Sequence, residues 1–427
     1  MNKMENKFFK TICCFAFLFI GYYCNADKYT IEDLINIEEF TYYTKDSIPI
    51  QSTLYLPKKE QLKRIIIQLQ SIQIEFRNPD FSLRSDSVHH KDILELVSSG
   101  TGVILISTRF RQTVDNAMIL KNQTMETLAD DVEYAYRYLR RKPQFSHIPI
   151  GVSGSSATGV AAAKVASRNT SVDFAILIST PSTPSIEEAD YKWVNHPETS
   201  GVPYYKMLFA EFRKFFPHDR FTYKGQERKD SINNSINQQF EDCAWECISS
   251  INHTIISKYD EYDSIQYHAK KIFKNAFNTE NLSKKIEMMN LLNKMEEHTA
   301  NDYVDILMWF WYSPQDIDYL KWNPECYYPK INCPVLMLFA EKDINIDVNG
   351  SIENSKRIVE KYNKKNFSIV VIPGVDHSFY IPNEKITIKE NNGQIKTLNK
   401  RTDLFFNTIS NWIKTISLNK NREGEDK

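Results

Sequence analysis

Ile150-Gly151-Val152-Ser153-Gly154-Ser155-Ser156-Ala157-Thr158-Gly159 is the stretch on which the reading of this chain turns. Its start is apolar, its corner is built of small residues, and the Ala-rich segment Val160 to Arg168 follows at once. A strand that runs into a sharp corner and leaves as a helix is the setting of a nucleophile elbow, where a serine is held on a strained turn. Small neighbours are needed because so tight a turn leaves no room for side chains. Two registers compete. Ser156 has Gly154 two residues before it and Thr158 then Gly159 after it; Ser155 has Ser153 and Ala157 in those places. The bland alternative is a Ser-rich turn with no chemistry.

Outward from the corner, strand and helix patterns alternate. Arg64 to Leu69, Gly102 to Thr108, Ile148 to Ser153, Phe174 to Ser179, Val335 to Phe339 and Phe367 to Ile372 are short apolar runs, as expected of parallel strands covered on both faces. Ahead of them Glu38 to Pro57 alternates around Lys45-Asp46-Ser47 and predicts an antiparallel hairpin at a sheet edge. Leu128, Val132, Ala135, Tyr136 and Leu139 share one helical face, and Phe405, Ile409, Trp412 and Ile416 share another. The expected fold is α/β, a doubly wound and mostly parallel sheet.

From Gly102 to Thr180 the chain resembles secreted bacterial α/β-hydrolases of the esterase and serine-aminopeptidase-like (lysophospholipase-like) group. Their elbow strand, G-H-S-E-G-G corner and V-A-A-R helix lie over Ile150 to Arg168 without a gap, which puts the nucleophile on Ser156; Thr158 stands where the motif has its second glycine. Cys333 to Asp343 reads C-P-V-L-M-L-F-A-E-K-D, close to the group's C-P-V-L-x-L-x-G-E-K-D, and the match makes Asp343 the triad acid. Asp347 is the fallback, and Glu341 reads as a solvated neighbour. Ile372 to Phe379 reads I-P-G-V-D-H-S-F, and the group's P-G-x-x-H-x-F loop aligns His377 with the base. The order Ser, Asp, His is the one this fold uses. The resemblance further implies an oxyanion hole from the backbone N–H of Ala157 and of Ile72. Here, however, the group's Gly-Ser-Gly-Pro-Gln-type turn has become Ser71-Ile72-Gln73-Ile74-Glu75-Phe76-Arg77-Asn78, without either glycine, and its Asp-Arg-Gly turn has become Phe110-Arg111-Gln112.

Between Pro181 and Cys326 the strand pattern stops and helical, aromatic-rich sequence takes over, so 181–326 is expected to be an inserted helical cap on a core formed by 27–180 and 327–418. Trp309, Phe310, Trp311 and Tyr312 are candidates to line an apolar acyl pocket, although aromatics at helical spacing are more often core. Residues 419–427 form a polar tail. At the other end Lys3, Lys7 and Lys10 precede an apolar run from Thr11 to Cys24, and Ala26 offers a cleavage point, the pattern of a secretory signal over 1–26. The run is shorter than the roughly 20 residues that cross a bilayer as a helix. The chain is therefore expected to be exported, with a lipid-bearing Cys24 as a lesser possibility.

With Lys+Arg 53 against Asp+Glu 54, no single-sign field is available to recruit nucleic acid. No His pair sits at metal-ligand spacing beside Cys243 and Cys247, and the expected chemistry needs no cofactor and no metal. Whether Cys243, Cys247, Cys326 and Cys333 are bridged stays open. The expectation is a serine hydrolase cleaving a carboxylic ester through an acyl-enzyme, its partner a small acyl substrate. Amide, thioester and acyl-transfer chemistry, and a non-catalytic binding module for an apolar ligand, remain as alternatives.

Overall fold

The computed structural model describes residues 35–69, 93, 95–106, 124–196, 247, 250–251, 258, 262–276, 314–389 and 395–416. The N-terminal segment 1–26 with Cys24, Ile72 and its loop, Phe110 to Gln112, Cys243, the run Trp309 to Tyr312, most of 181–326 and the tail 419–427 lie outside these residues.

The N-terminal hairpin forms as the alternation requires. Strands β1 (Ile35–Tyr43) and β2 (Pro49–Pro57) are antiparallel, and the turn is closed by Thr44 N–H donating to the Ile48 carbonyl with Ser47 at φ 62°. The apolar runs give β3 (Arg64–Leu69), β4 (Thr101–Ile106), β5 (Ile150–Ser155), β6 (Ala175–Ile178), β7 (Val335–Ala340) and β8 (Phe367–Ile372). β5 begins two residues later than Ile148 because Ile148 still donates its N–H to Phe145 in the preceding turn and Pro149 has none to give.

The sheet order is β1-β2-β4-β3-β5-β6-β7-β8. β2 is antiparallel to both β1 and β4, and every pairing from β4 to β8 is parallel. Alternate residues of each central strand feed two cores. Ile65, Ile67, Leu177, Met337 and Phe339 face α1 (Met125–Arg140) and α2 (Ala157–Arg168), whose buried residues include Leu128, Val132, Val160 and Val165. Ile66, Ile176, Leu336 and Leu338 face the other way, onto Phe405, Phe406, Ile409 and Ile413 of the C-terminal helix. Burial on both faces is why these strands read as continuous apolar runs rather than as alternation.

Between β6 and β7 the described elements are helical: α3 (Ser185–Asp190), which continues as a π turn over Tyr191–Asn195, α4 (Tyr262–Ala276) and α5 (Pro314–Leu320). After β7 come α6 (Val348–Lys361), β8, a hairpin of β9 (Tyr380–Lys389) and β10 (Ile395–Arg401), and α7 (Asp403–Thr415). That hairpin was not expected. It forms a sheet of its own, apart from the eight strands. The sequence signal for it is Asn392-Gly393, a dipeptide that favours tight hairpin turns, set between Ile386-Thr387-Ile388 and Ile395.

Lys164 is a buried cation of the helix layer. Lys164 on α2 donates to Glu126 at 2.5 Å and lies 3.7 Å from Asp318 on α5, so the charge is paired on both sides. No helix among the described residues is long and apolar enough to cross a membrane. This strand order and direction is that of the α/β-hydrolase fold.

Candidate active site

Parallel α/β sheets place their sites beyond the carboxyl ends of the strands, and β5 to β8 deliver Ser156, Ser179, Asp343 and His377 there. Ser156 directly follows β5 and is the N-cap of α2, at φ 54° and ψ −126°. This conformation is sparsely populated by L-residues, and such strain gathers at functional sites. The turn is enforced by contact. A Cβ on Gly154 would meet the Thr158 carbonyl oxygen at 2.2 Å, and one on Gly159 would meet Thr180 Oγ1 at 1.8 Å. Thr158, in the place of the motif's second glycine, closes the corner from inside: its Oγ1 accepts from Ser155 N–H at 3.0 Å and donates to the Ser155 carbonyl at 2.8 Å.

The two serine registers differ in what the structure does with them. Ser155 is the last residue of β5, and its backbone is tied up by Thr158. Ser156 N–H donates to the Ile178 carbonyl at 2.8 Å, and its hydroxyl makes no capping bond, although a serine at an N-cap ordinarily spends its oxygen that way. Ala157 is the first residue of α2, and a helix's first turn leaves its N–H groups without intrahelical acceptors.

On the other side Asp343 lies in the turn after β7 with its carboxylate fully buried. Oδ1 accepts from Asn345 N–H at 2.7 Å and Oδ2 is 2.6 Å from His377 Nδ1. A carboxylate there fixes the proton on Nδ1 and leaves Nε2 as the acceptor. Among the described residues Nε2 has no hydrogen-bond partner, and the ring keeps 18% of its side-chain surface exposed. Asp347, the fallback acid, is engaged elsewhere: its Oδ1 accepts from Gly350 N–H at 2.9 Å and caps α6. Glu341 is exposed, yet it accepts from Gly374 N–H at 2.7 Å and so braces the start of the His377 loop.

The rest of that loop is held by residues the sequence did not single out. Asp376 Oδ1 accepts from the N–H groups of Ser378 and Tyr380, both at 3.0 Å. Arg401, at the end of the unexpected hairpin, donates Nε–H to the Ser378 carbonyl at 2.9 Å and lies over the Tyr380 and Phe405 rings. Phe379 is buried at φ 62°, an uncommon state for a bulky residue. Ser179 Oγ donates to the His377 carbonyl at 3.1 Å.

Consecutive residues at the end of β6 therefore hold both halves: Ile178 takes the Ser156 N–H, and Ser179 takes the His377 carbonyl. The structure brings Asp343 and His377 into direct contact and sets Ser156 on the neighbouring turn. Ser156 Oγ and His377 Nε2 make no hydrogen bond with each other; in apo enzymes such contacts are often long and tighten with substrate. Ile72 and the run Trp309 to Tyr312 fall outside the described residues. Among the described residues no group of three His, Cys, Asp or Glu side chains could hold a metal, and Cys326 and Cys333 are free.

The dienelactone hydrolase family matches residues 311–414, a span that holds Asp343 and His377 and lies C-terminal to Ser156. No curated protein sequence matches the chain. Among solved structures, a lipase in its open form is 13% identical at a TM-score of 0.44, over 89% of this chain and 98% of that one. A hypothetical protein of Pseudomonas aeruginosa is 10% identical at 0.43, over 90% and 95%. Est1E of Butyrivibrio proteoclasticus is 12% identical at 0.41, over 88% and 97%. The fold rests on strand order and direction. The family match supports hydrolase chemistry in general for this chain.

Proposed function

We propose that this protein is a serine hydrolase that cleaves a carboxylic ester through an acyl-enzyme. The observation that carries the reading is the Asp343–His377 contact at 2.6 Å, with an Nε2 that has no partner among the described residues, beside a serine held at φ 54° on a strand-to-helix turn. In this reading His377 Nε2 takes the Ser156 proton as Oγ attacks the acyl carbon. The imidazolium then hands that proton to the departing alkoxide as the ester C–O bond breaks. Water next attacks the acyl-enzyme, giving its proton to His377; the carboxylic acid leaves and Ser156 recovers its hydrogen. Asp343 keeps the imidazole tautomer and stabilises its charged form. Ala157 N–H, at the positive end of α2, is the oxyanion donor on this side, and Ile72 N–H is the proposed second donor.

The same proposal takes Trp309 to Tyr312 as walls of an apolar acyl pocket and 181–326 as a cap. It treats 1–26 as a cleaved signal, so that N-terminal sequencing of exported protein would start at Asp27. Because Ser156 and His377 are not hydrogen-bonded, the reading to be excluded is a non-catalytic binding module. Hydrolysis of nitrophenyl acetate and butyrate decides between them. The enzyme reading expects Ser156→Ala to lower turnover by about 10⁴ or more while the protein stays folded. Unchanged turnover in that variant, or none in the folded wild type, would overturn it.

A further inference from the structure

Ser179 stands out as a fully buried residue with a left-handed backbone, at φ 42°. Glycine enters this region freely, while a residue with a Cβ is disfavoured there. Nothing in the run F-A-I-L-I-S announces a glycine-like position, and a serine kept where glycine would be unstrained implies that its hydroxyl has a task.

The contacts show one. Ser179 N–H donates to the Leu338 carbonyl of β7 at 2.7 Å, which anchors the turn to the sheet. With its main chain so fixed, Ser179 Oγ donates to the His377 carbonyl at 3.1 Å. The residue before it binds the Ser156 N–H, and the one after it, Thr180, packs against Gly159 of the elbow helix. The three-residue segment Ile178-Ser179-Thr180 is thus a ruler between elbow and imidazole. His377 is gripped at two ends, its ring by Asp343 and its main chain by Ser179, and two grips of this kind leave Nε2 a narrow range of directions.

We propose that Ser179 is a positioning residue for His377, its left-handed turn and its hydroxyl together setting where the base points relative to Ser156. This rests on the serine-hydrolase reading above. The test compares Ser179→Ala with Ser179→Gly. Both delete the hydroxyl; only the glycine variant also relieves the backbone. Each is assayed for kcat and KM on nitrophenyl butyrate, for the rate at which a fluorophosphonate labels Ser156, and for melting temperature.

The expected result is that both variants lose about threefold to tenfold in kcat and in labelling rate, the scale of one net hydrogen bond, with KM unchanged. The glycine variant should melt higher than the alanine variant while being no faster, so that activity and stability part company. A purely structural role predicts instead that activity follows melting temperature, with Ser179→Gly recovering the wild-type rate; that outcome overturns the inference. Unchanged rates in both variants, with wild type labelled at Ser156, overturn it alone. A folded wild type that takes no label at all removes the underlying reading and this inference with it.

Discussion

The two halves of the site are held by different physics. The elbow is positioned by volume: Gly154 and Gly159 touch their surroundings so closely that a methyl group has no place, and the strain at Ser156 is the result. The acid–base half is positioned by polar side chains: Asp343, Glu341, Asp376, Arg401 and Ser179 each spend an oxygen or nitrogen on the His377 loop or ring. The difference teaches where each half is fragile. Adding atoms should break the first, and removing polar atoms should break the second.

The largest effect is expected in the polar half. Asp343→Asn keeps the shape but offers the imidazole the wrong partner, and turnover should fall by about 10⁴, the loss seen for the corresponding change in a serine protease. Melting should change little, because an amide oxygen still accepts from Asn345 N–H. A loss of less than about tenfold on nitrophenyl butyrate would remove Asp343 as the acid.

In the elbow the corresponding change adds one methyl group. Gly154→Ala drives a Cβ into backbone, the Thr158 carbonyl, and should destabilise by about 3 kcal/mol or more, with no side-chain truncation able to rescue it. Gly159→Ala meets a side chain instead, so Thr180→Ala in the same chain should restore much of the loss. Denaturant melts of the two singles, and of Gly159→Ala with Thr180→Ala beside Gly154→Ala with Thr158→Ala, check both statements. Equal rescue at both glycines, or none at either, would contradict the volume account.

Thr158 lies between the two regimes, since it fills space and also hydrogen-bonds. Thr158→Val preserves the volume and leaves the Ser155 N–H and carbonyl without that partner. Its expected cost is about 1–3 kcal/mol in urea unfolding. No cost would mean that the hydroxyl is idle and that the elbow is shaped by packing alone.

The smallest effect is a control at the amino end of β7, away from the chemistry. Burial pushes the Cys333 thiol up to about 12, whereas Cys326 is exposed. A thiol whose pKa is raised holds almost no thiolate at pH 8, so Cys326 should react with a disulfide reagent and Cys333 should stay silent until the protein unfolds. Reaction at Cys333 in folded protein would show that this end of the sheet is open.

Much of the fold was legible because its strands are covered on both faces. The run Arg64–Leu69 coincides with β3 to the residue, and Val335–Phe339 falls one residue short of the fully buried β7. The β9–β10 hairpin was missed for the opposite reason. Among the described residues it is two-stranded and pairs with itself alone, and it is dense in Lys and Thr, so no continuous apolar run marks it. In the candidate site, Asp343 and His377, which the structure brings into contact, were visible as a strand-end carboxylate and an imidazole in a Pro-Gly loop. Thr158 read as a departure from a motif, while its hydrogen bonds to Ser155 supply what a glycine there would not. Ser179, Asp376 and Arg401 were invisible, because their contacts cross long stretches of chain or depend on a backbone angle that composition does not encode.

The central claim is that Ser156 carries the activated hydroxyl. Covalent labelling of the folded protein with a fluorophosphonate probe, followed by peptide mapping, tests it directly. The account predicts a single tag on Ser156, lost in Ser156→Ala and strongly slowed in Asp343→Asn. A tag on Ser155, or no tag on well-folded protein, would contradict it.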